Sequence, residues 1–181
     1  MPGFLKTVPA LTRPDLLGPS VVDALRRWPS PVPVEQVEVA EIDPKLADTA
    51  AFCSAYAVPL AASANCVVVA GRRGADTRYA ACVVLATTKA DVNGLARRHL
   101  DARKCSFAPM DTAVAETGME YGGITPLGLP DSWPILVDAE AAAADRVLIG
   151  SGLRRSKLWL PGPALADLPG AVVLHGLGLA G

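Results

Sequence analysis

The sequence predicts a mixed α/β fold, a single domain over residues 1–181 whose curled or barrel-like sheet carries helices packed on its outside. Three observations predict it. Two apolar runs rich in branched residues, 66–70 and 79–86, flank the turn Gly71–Asp76 and read as an antiparallel hairpin in the sheet centre. Shorter strand-like runs at 135–137, 147–149, 157–160 and 171–174 interleave with helical segments, without strict alternation. The 181 residues are 51 % apolar, enough to bury one substantial core. No repeat and no second domain is visible.

Taken in order, residues 1–19 carry Pro2, Pro9, Pro14 and Pro19 and read as an irregular arm. Ser20 is a candidate cap for a helix over 21–28, ended by the proline-rich run 29–33. Val34, Val37 and Val39 alternate with polar residues as in a half-buried strand. Asp43-Pro44 opens a helix with the apolar residues Leu46, Ala50, Phe52, Cys53 and Tyr56. After the hairpin, Asp91 caps a helix from Val92 to about Leu100, Lys104–Phe107 is extended, and Asp111 caps a helix that stops at Gly118. An alanine-rich helix, 140–144, separates two of the later strands. Residues 163–168 make one or two helical turns, and the tail from Gly176 reads as loose.

Composition excludes several classes. No apolar run reaches the roughly 18 residues needed to span a membrane. Residues 1–12 lack the charged-then-apolar pattern of a secretion signal, so a cytoplasmic protein is expected. Cys53, Cys66, Cys82 and Cys105 have neither close pairing nor ligand-like spacing, which suits buried, reduced thiols and no metal or other cofactor. His99 and His175 form no catalytic arrangement, and Asp138, Glu140 and Asp145 read as turn caps. The net charge of −1 argues against broad, non-specific nucleic-acid binding but leaves room for local basic patches.

The stretch with the most chemical promise is Tyr121-Gly122-Gly123-Ile124-Thr125-Pro126-Leu127-Gly128. Adjacent glycines followed by a proline make a stiff, kinked loop with accessible backbone N–H groups, suited to an anion or to a carbonyl that becomes one. An ordinary connecting loop has the same composition. Thr125 could orient a water or a substrate amine, or cap its own loop.

This loop, the preceding Lys104–Ala108 and helical run through Met119, the following Pro134–Asp138, and the turn Val147–Gly152 together resemble the YbaK-like family. That family contains free-standing aminoacyl-tRNA deacylases and the editing domain inserted in some prolyl-tRNA synthetases. The resemblance runs from about Asn65 to about Val173. It implies a YbaK-like fold and a pocket between the loop, the strand starting near residue 65 and the Gly150–Gly152 turn. Gly122, Gly123 and Thr125 would then act in catalysis, and Asn65, Pro126, Ser151, Gly152 and Lys157 would hold substrate. Many members carry lysine where this chain has Asn65, and an aspartate of the family falls near Lys157. A charge swap, with Lys157 supplying the cation, is one reading; a solvated strand-edge lysine is the other.

The implied activity is hydrolysis in trans of the ester in a tRNA mischarged with a small amino acid. A degenerate, non-hydrolytic binder of an aminoacyl group, tRNA or protein is the alternative, and a hydrolase of another small ester a third reading. The expected partners are mischarged tRNA and an aminoacyl-tRNA synthetase. Two basic clusters would contact the tRNA: Arg97, Arg98, Arg103 and Lys104, then Arg154 and Arg155 beside Lys157. Surface charge that merely aids solubility has the same composition. Oligomeric state is not legible.

Overall fold

The computed structural model describes residues 5–181. It is a mixed α/β fold built on two sheets and a two-stranded ribbon, and neither sheet closes into a barrel. The first sheet has the order β1-β2-β9-β8, from β1 (Thr7–Pro9), β2 (Glu38–Glu41), β8 (Val147–Gly150) and β9 (Ser156–Leu160), all antiparallel. The second has the order β10-β7-β4-β3-β6, from β3 (Ala64–Arg73), β4 (Asp76–Leu85), β6 (Lys104–Phe107), β7 (Ile135–Asp138) and β10 (Ala171–Leu174). Its β10, β7 and β4 run parallel, while β3 is antiparallel to both neighbours. The ribbon pairs β5 (Thr88–Ala90) with β11 (Gly178–Ala180).

The hairpin expected at the sheet centre is β3–β4, longer and more tightly turned than its sequence suggested. Ten pairs run from Ala64–Leu85 to Arg73–Asp76, leaving Gly74 and Ala75 as the turn. Arg72, Arg73, Thr77 and Arg78 continue the ladder although their side chains are polar, because pairing between the backbones does not require apolar residues.

Helices lie outside the sheets: α1 (Pro19–Arg26), α2 (Thr49–Tyr56), a π turn (Val92–Ala96) continuing into α3 (Arg97–His99), α4 (Met110–Thr117) and α5 (Ala139–Ala143). Asp91 caps the π turn through Gly94 N–H and Leu95 N–H, both at 3.0 Å. Gly118, with φ of 68°, ends α4. The largest apolar cluster joins α1, β8, β9 and the underside of the second sheet, through Leu25, Val83, Val137, Ile149, Leu158 and Leu165. A second cluster on the other face packs Val69, Val84 and Leu136 against Ala96, Leu100 and Leu177.

Six local expectations are corrected. Asp111 does not cap α4: it lies in the first turn of a helix that starts at Met110 after Pro109, which has no side-chain donor or acceptor to cap it. The arm is not irregular throughout: its first four residues lie outside those described, but Thr7–Pro9 pairs with β2. Gly18, without a side chain to offer, precedes α1; Ser20 lies within it, and Pro19 takes the first helical position. Residues 34–36 form a 3-10 turn, so the strand starts only at Glu38. The helix expected from Asp43 breaks in two, because Asp48 accepts from Ala50 N–H and Ala51 N–H and starts α2 afresh. The tail is not loose: Leu177 is buried in the core and β11 is paired with β5.

Beyond the apolar cluster that they share, the two main sheets are joined by a backbone bridge at one seam. Ser63 and Leu148 form an isolated parallel bridge, so the start of β3 leans on β8. The arm closes over the other end of that region: Gly18 N–H donates to Ser151 O at 2.9 Å and Ser156 Oγ donates to Leu16 O.

Candidate functional site

At this seam a cavity of about 270 Å³ opens between the start of α2, the start of β3, the Tyr121–Ile124 loop and the β8–β9 region. Asp48 and Thr49 come from the first wall, Asn65 from the second, Gly122 from the third, and Gly150, Arg154 and Lys157 from the fourth.

The loop wall follows from a tight turn. Gly123 N–H donates to Glu120 O at 2.9 Å, with Tyr121 and Gly122 between them. Gly122 has a φ of 82°, the value that the third residue of a type II turn needs and that glycine adopts without strain. Gly122 lines the cavity, and its N–H has no protein partner among the described residues. Behind the turn, Gly152 N–H donates to Gly123 O at 2.7 Å and Glu120 N–H donates to Gly152 O at 3.0 Å. The loop is docked so closely on β8 that a Cβ at Gly150 would stand 2.6 Å from Ile124 O and 2.7 Å from Gly123 O.

Arg154 straps this wall to the opposite one. Its guanidinium donates to Tyr121 O at 2.9 Å and to Pro44 O at 3.2 Å, and it stacks 5.6 Å from the centre of the Tyr121 ring. Its own N–H is held by Glu120 Oε1 at 2.9 Å. Across the cavity, Thr49 Oγ donates to Asn65 Oδ1 at 2.7 Å, which leaves the Asn65 amide N–H groups without a protein partner among the described residues.

Lys157 is buried, on a strand flanked by β2 and β8, and not solvated at a sheet edge. Its Nζ donates to Ala47 O at 3.1 Å and lies 5.7 Å from the centre of the Phe52 ring. Burial is the main cause that pushes its pKa below the ordinary lysine value; nearby Cys53 and Asp48 act the other way.

The remaining candidates lie off this wall. Gly123 is buried and its N–H is engaged in the turn. Thr125 is fully buried; its N–H meets Met119 Sδ at 3.5 Å and its hydroxyl has no partner among the described residues. Pro126 lines a separate, mostly apolar cavity of about 200 Å³ near α1. The Ser151 hydroxyl is enclosed by Leu153, Ser156 and their backbone, where it shapes the β8–β9 turn. Gly152 packs against Gly18 and Val21.

The two basic clusters have separate fates. Arg97, Arg103 and Lys104 join Arg72 around an open depression of about 450 Å³, with Arg98 exposed outside it. Arg97 is partly engaged there, donating from Nε to Asn93 O at 2.8 Å. In the other cluster, Arg154 is the strap, and Arg155 donates to Asp15 O in the arm. Asp48 and Thr49 are wall residues that the sequence pattern did not single out, because Asp43-Pro44 is the stronger helix start; a second Asp before Thr-Ala-Ala was the available signal.

The family model of the aminoacyl-tRNA editing domain matches residues 43–168, a stretch that includes every wall of the cavity. The chain belongs to this family. No curated protein matches it. Among solved structures, the editing-domain fold is similar to a candidate trans-editing enzyme for prolyl tRNA synthetase, with a TM-score of 0.70 and 19 % identity over 91 % of this chain and 99 % of that one. A scaffold protein from computational epitope grafting gives 0.72 and 20 % over 91 % and 97 %. The hypothetical protein APE2540 gives 0.67 and 20 % over 77 % and 89 %. At these identities the likeness speaks for the fold alone. Among the described residues, no helix is long and apolar enough to cross a membrane.

Proposed function

We propose that this editing-domain protein hydrolyses, in trans and in the cytoplasm, the ester of a tRNA mischarged with a small amino acid. The observation that carries the reading is the seam cavity within the family-matched stretch, lined by Gly122 and Asn65, two residues whose N–H donors are unengaged among the described residues. At about 270 Å³ it falls below the usual range of roughly 300–1,000 Å³ for small-molecule pockets, which favours a small side chain. Water adds to the ester carbonyl carbon, the bond to the ribose oxygen breaks, and the amino acid and tRNA leave. In this reading the Gly122 N–H donates to the carbonyl oxygen as charge develops there. One such donor is worth about 2.7–4 kcal/mol of barrier in comparable oxyanion sites.

In this reading the nucleotides behind the esterified end run over the exposed Arg103 and Lys104, and the synthetase that makes the error is the natural second partner. A second reading, binding without hydrolysis, is favoured by one observation: Asn65 puts a neutral amide on the cavity wall where the YbaK-like resemblance implies a lysine. Assaying the purified protein against a panel of mischarged tRNAs separates the two. Release of a small amino acid at a rate above spontaneous hydrolysis is the expected result. Retained tRNA binding with no release on any member of the panel would replace the enzyme by the binder.

A further inference from the structure

Lys157 is a buried cation without a counter-ion. It is 7 % exposed, on an inner strand, where an ammonium loses most of its hydration. The usual compensation is a carboxylate, yet among the described residues none lies within 4.0 Å of Nζ. Of the acidic groups that favour its charged form, the Cys53 thiol comes first and is itself raised by burial, so it stays neutral at neutral pH, and Asp48 has Oδ1 engaged in capping α2. The contacts that remain are the Ala47 carbonyl and the face of Phe52. An ammonium has three donors, and one hydrogen bond leaves two of them for the cavity that Lys157 lines. The other cation on the wall is committed elsewhere: Arg154 holds two backbone carbonyls.

A buried, unpaired charge on the wall of a cleft is a recognised mark of a functional group, because folding alone gives no reason to keep it. Depth decides what it meets. Phosphates of a bound tRNA stay with the exposed arginines, whereas the ester end is the part small enough to enter. We infer that Lys157 is the substrate-facing cation of this cavity, donating to the ester carbonyl oxygen as that oxygen becomes negative. The inference rests on the editing reading. It goes further by moving the cation to β9, across the cavity from Asn65.

Three variants test it: Lys157→Met, Lys157→Arg, and Lys157→Met combined with Asn65→Lys. On the mischarged tRNA that the wild type hydrolyses best, Lys157→Met lowers kcat ten- to a hundred-fold with KM within about threefold, and melts no lower than wild type. The combined variant regains at least tenfold of the loss, since residue 65 faces the same space. Wild-type kcat in Lys157→Met overturns the inference. So does loss of activity together with a lowered melting temperature and no rescue by either partner variant, which is the signature of a packing role. Should the wild type hydrolyse nothing, calorimetry with an amide-linked 3′-alanylamino-3′-deoxyadenosine separates the failures. Binding that weakens at least tenfold in Lys157→Met keeps the cation and removes only hydrolysis. Equal binding by both proteins, or none by the wild type, removes the cation.

Discussion

The two basic clusters look alike in sequence and differ in almost everything else. Arg97, Arg98, Arg103 and Lys104 sit on a short helix and the start of an edge strand, so most of their charge is turned outward around an open depression. Arg154, Arg155 and Lys157 sit on a turn entering an inner strand, and each goes a separate way: to a loop, to the arm, and into a cavity. Strand alternation and burial, not charge density, decide which lysines and arginines are free to meet a polyanion. A run of basic residues is evidence for nucleic-acid contact only after its backbone environment is known.

That contrast can be broken most forcefully at Gly150. A methyl group there would meet two backbone oxygens at 2.6 and 2.7 Å, and neither can move without dragging the loop off β8. Gly150→Ala is expected to lose about 1–3 kcal/mol of stability, read as a lower denaturation midpoint, together with deacylation. An unchanged midpoint would show that the cavity wall is not a packed unit. Arg103→Ala with Lys104→Ala is the opposite case. It should leave the midpoint alone, weaken tRNA binding of every sequence alike, and flatten the salt slope by roughly 0.7–0.9 for each phosphate no longer neutralised. If binding and salt slope match wild type, the depression is ordinary surface.

Smaller effects sharpen the same distinction. Arg154→Ala removes two hydrogen bonds between opposing walls but from a half-exposed group, so about 1 kcal/mol is expected, with KM raised more than kcat is lowered. The pH dependence of Lys157 is subtler. Its folded pKa is lowered below the ordinary lysine value of 10.5, so over the window beneath 10.5 the unfolded chain binds more protons. Its unfavourable contribution is therefore full below the lowered folded pKa and relieved as pH rises through that window. The stability of wild type minus that of Lys157→Met should climb with pH there, while kcat, which needs the ammonium, should fall. Arg154, Cys53 and Asp48 face the group, and because the Lys157 charge lowers the Cys53 pKa, the difference between the two proteins also carries a shift in that thiol's titration. Burial also raises the thiols, Cys82 to about 12, which favours the opposite trend in both proteins alike.

Much of the fold was legible because it rests on local pattern. Branched runs marked β3 and β4, Asp91 and Gly118 marked helix ends, and paired glycines before a proline marked a tight loop that lines the candidate cavity. What escaped depended on distant partners. Pairing of Thr7–Pro9 with β2, and of β11 with β5, joins segments that carry no strong propensity of their own. Within the loop, composition suggested that both glycine N–H groups were open, yet a turn bond to Glu120 takes that of Gly123 and leaves that of Gly122. Thr125 and Ser151 have the right chemistry but point into packing. Lys157 reads most readily as solvated, because a strand of alternating residues does not reveal which face lies over a cavity.

The clasp between the arm and the β8–β9 turn has a consequence for the order in which the molecule can be assembled. Asp15 and Leu16 bond to Arg155 and Ser156, 140 residues further along the chain. At synthesis rates of roughly 5–20 residues per second, the early partners wait on the order of 7–28 s for the late ones. The hairpin β3–β4 closes locally and can form during that wait, but the wall bearing Arg154 and Lys157 cannot. The cavity is thus a late product of folding, completed only when both ends of the chain are in hand, and a nascent chain has a hairpin long before it has a site.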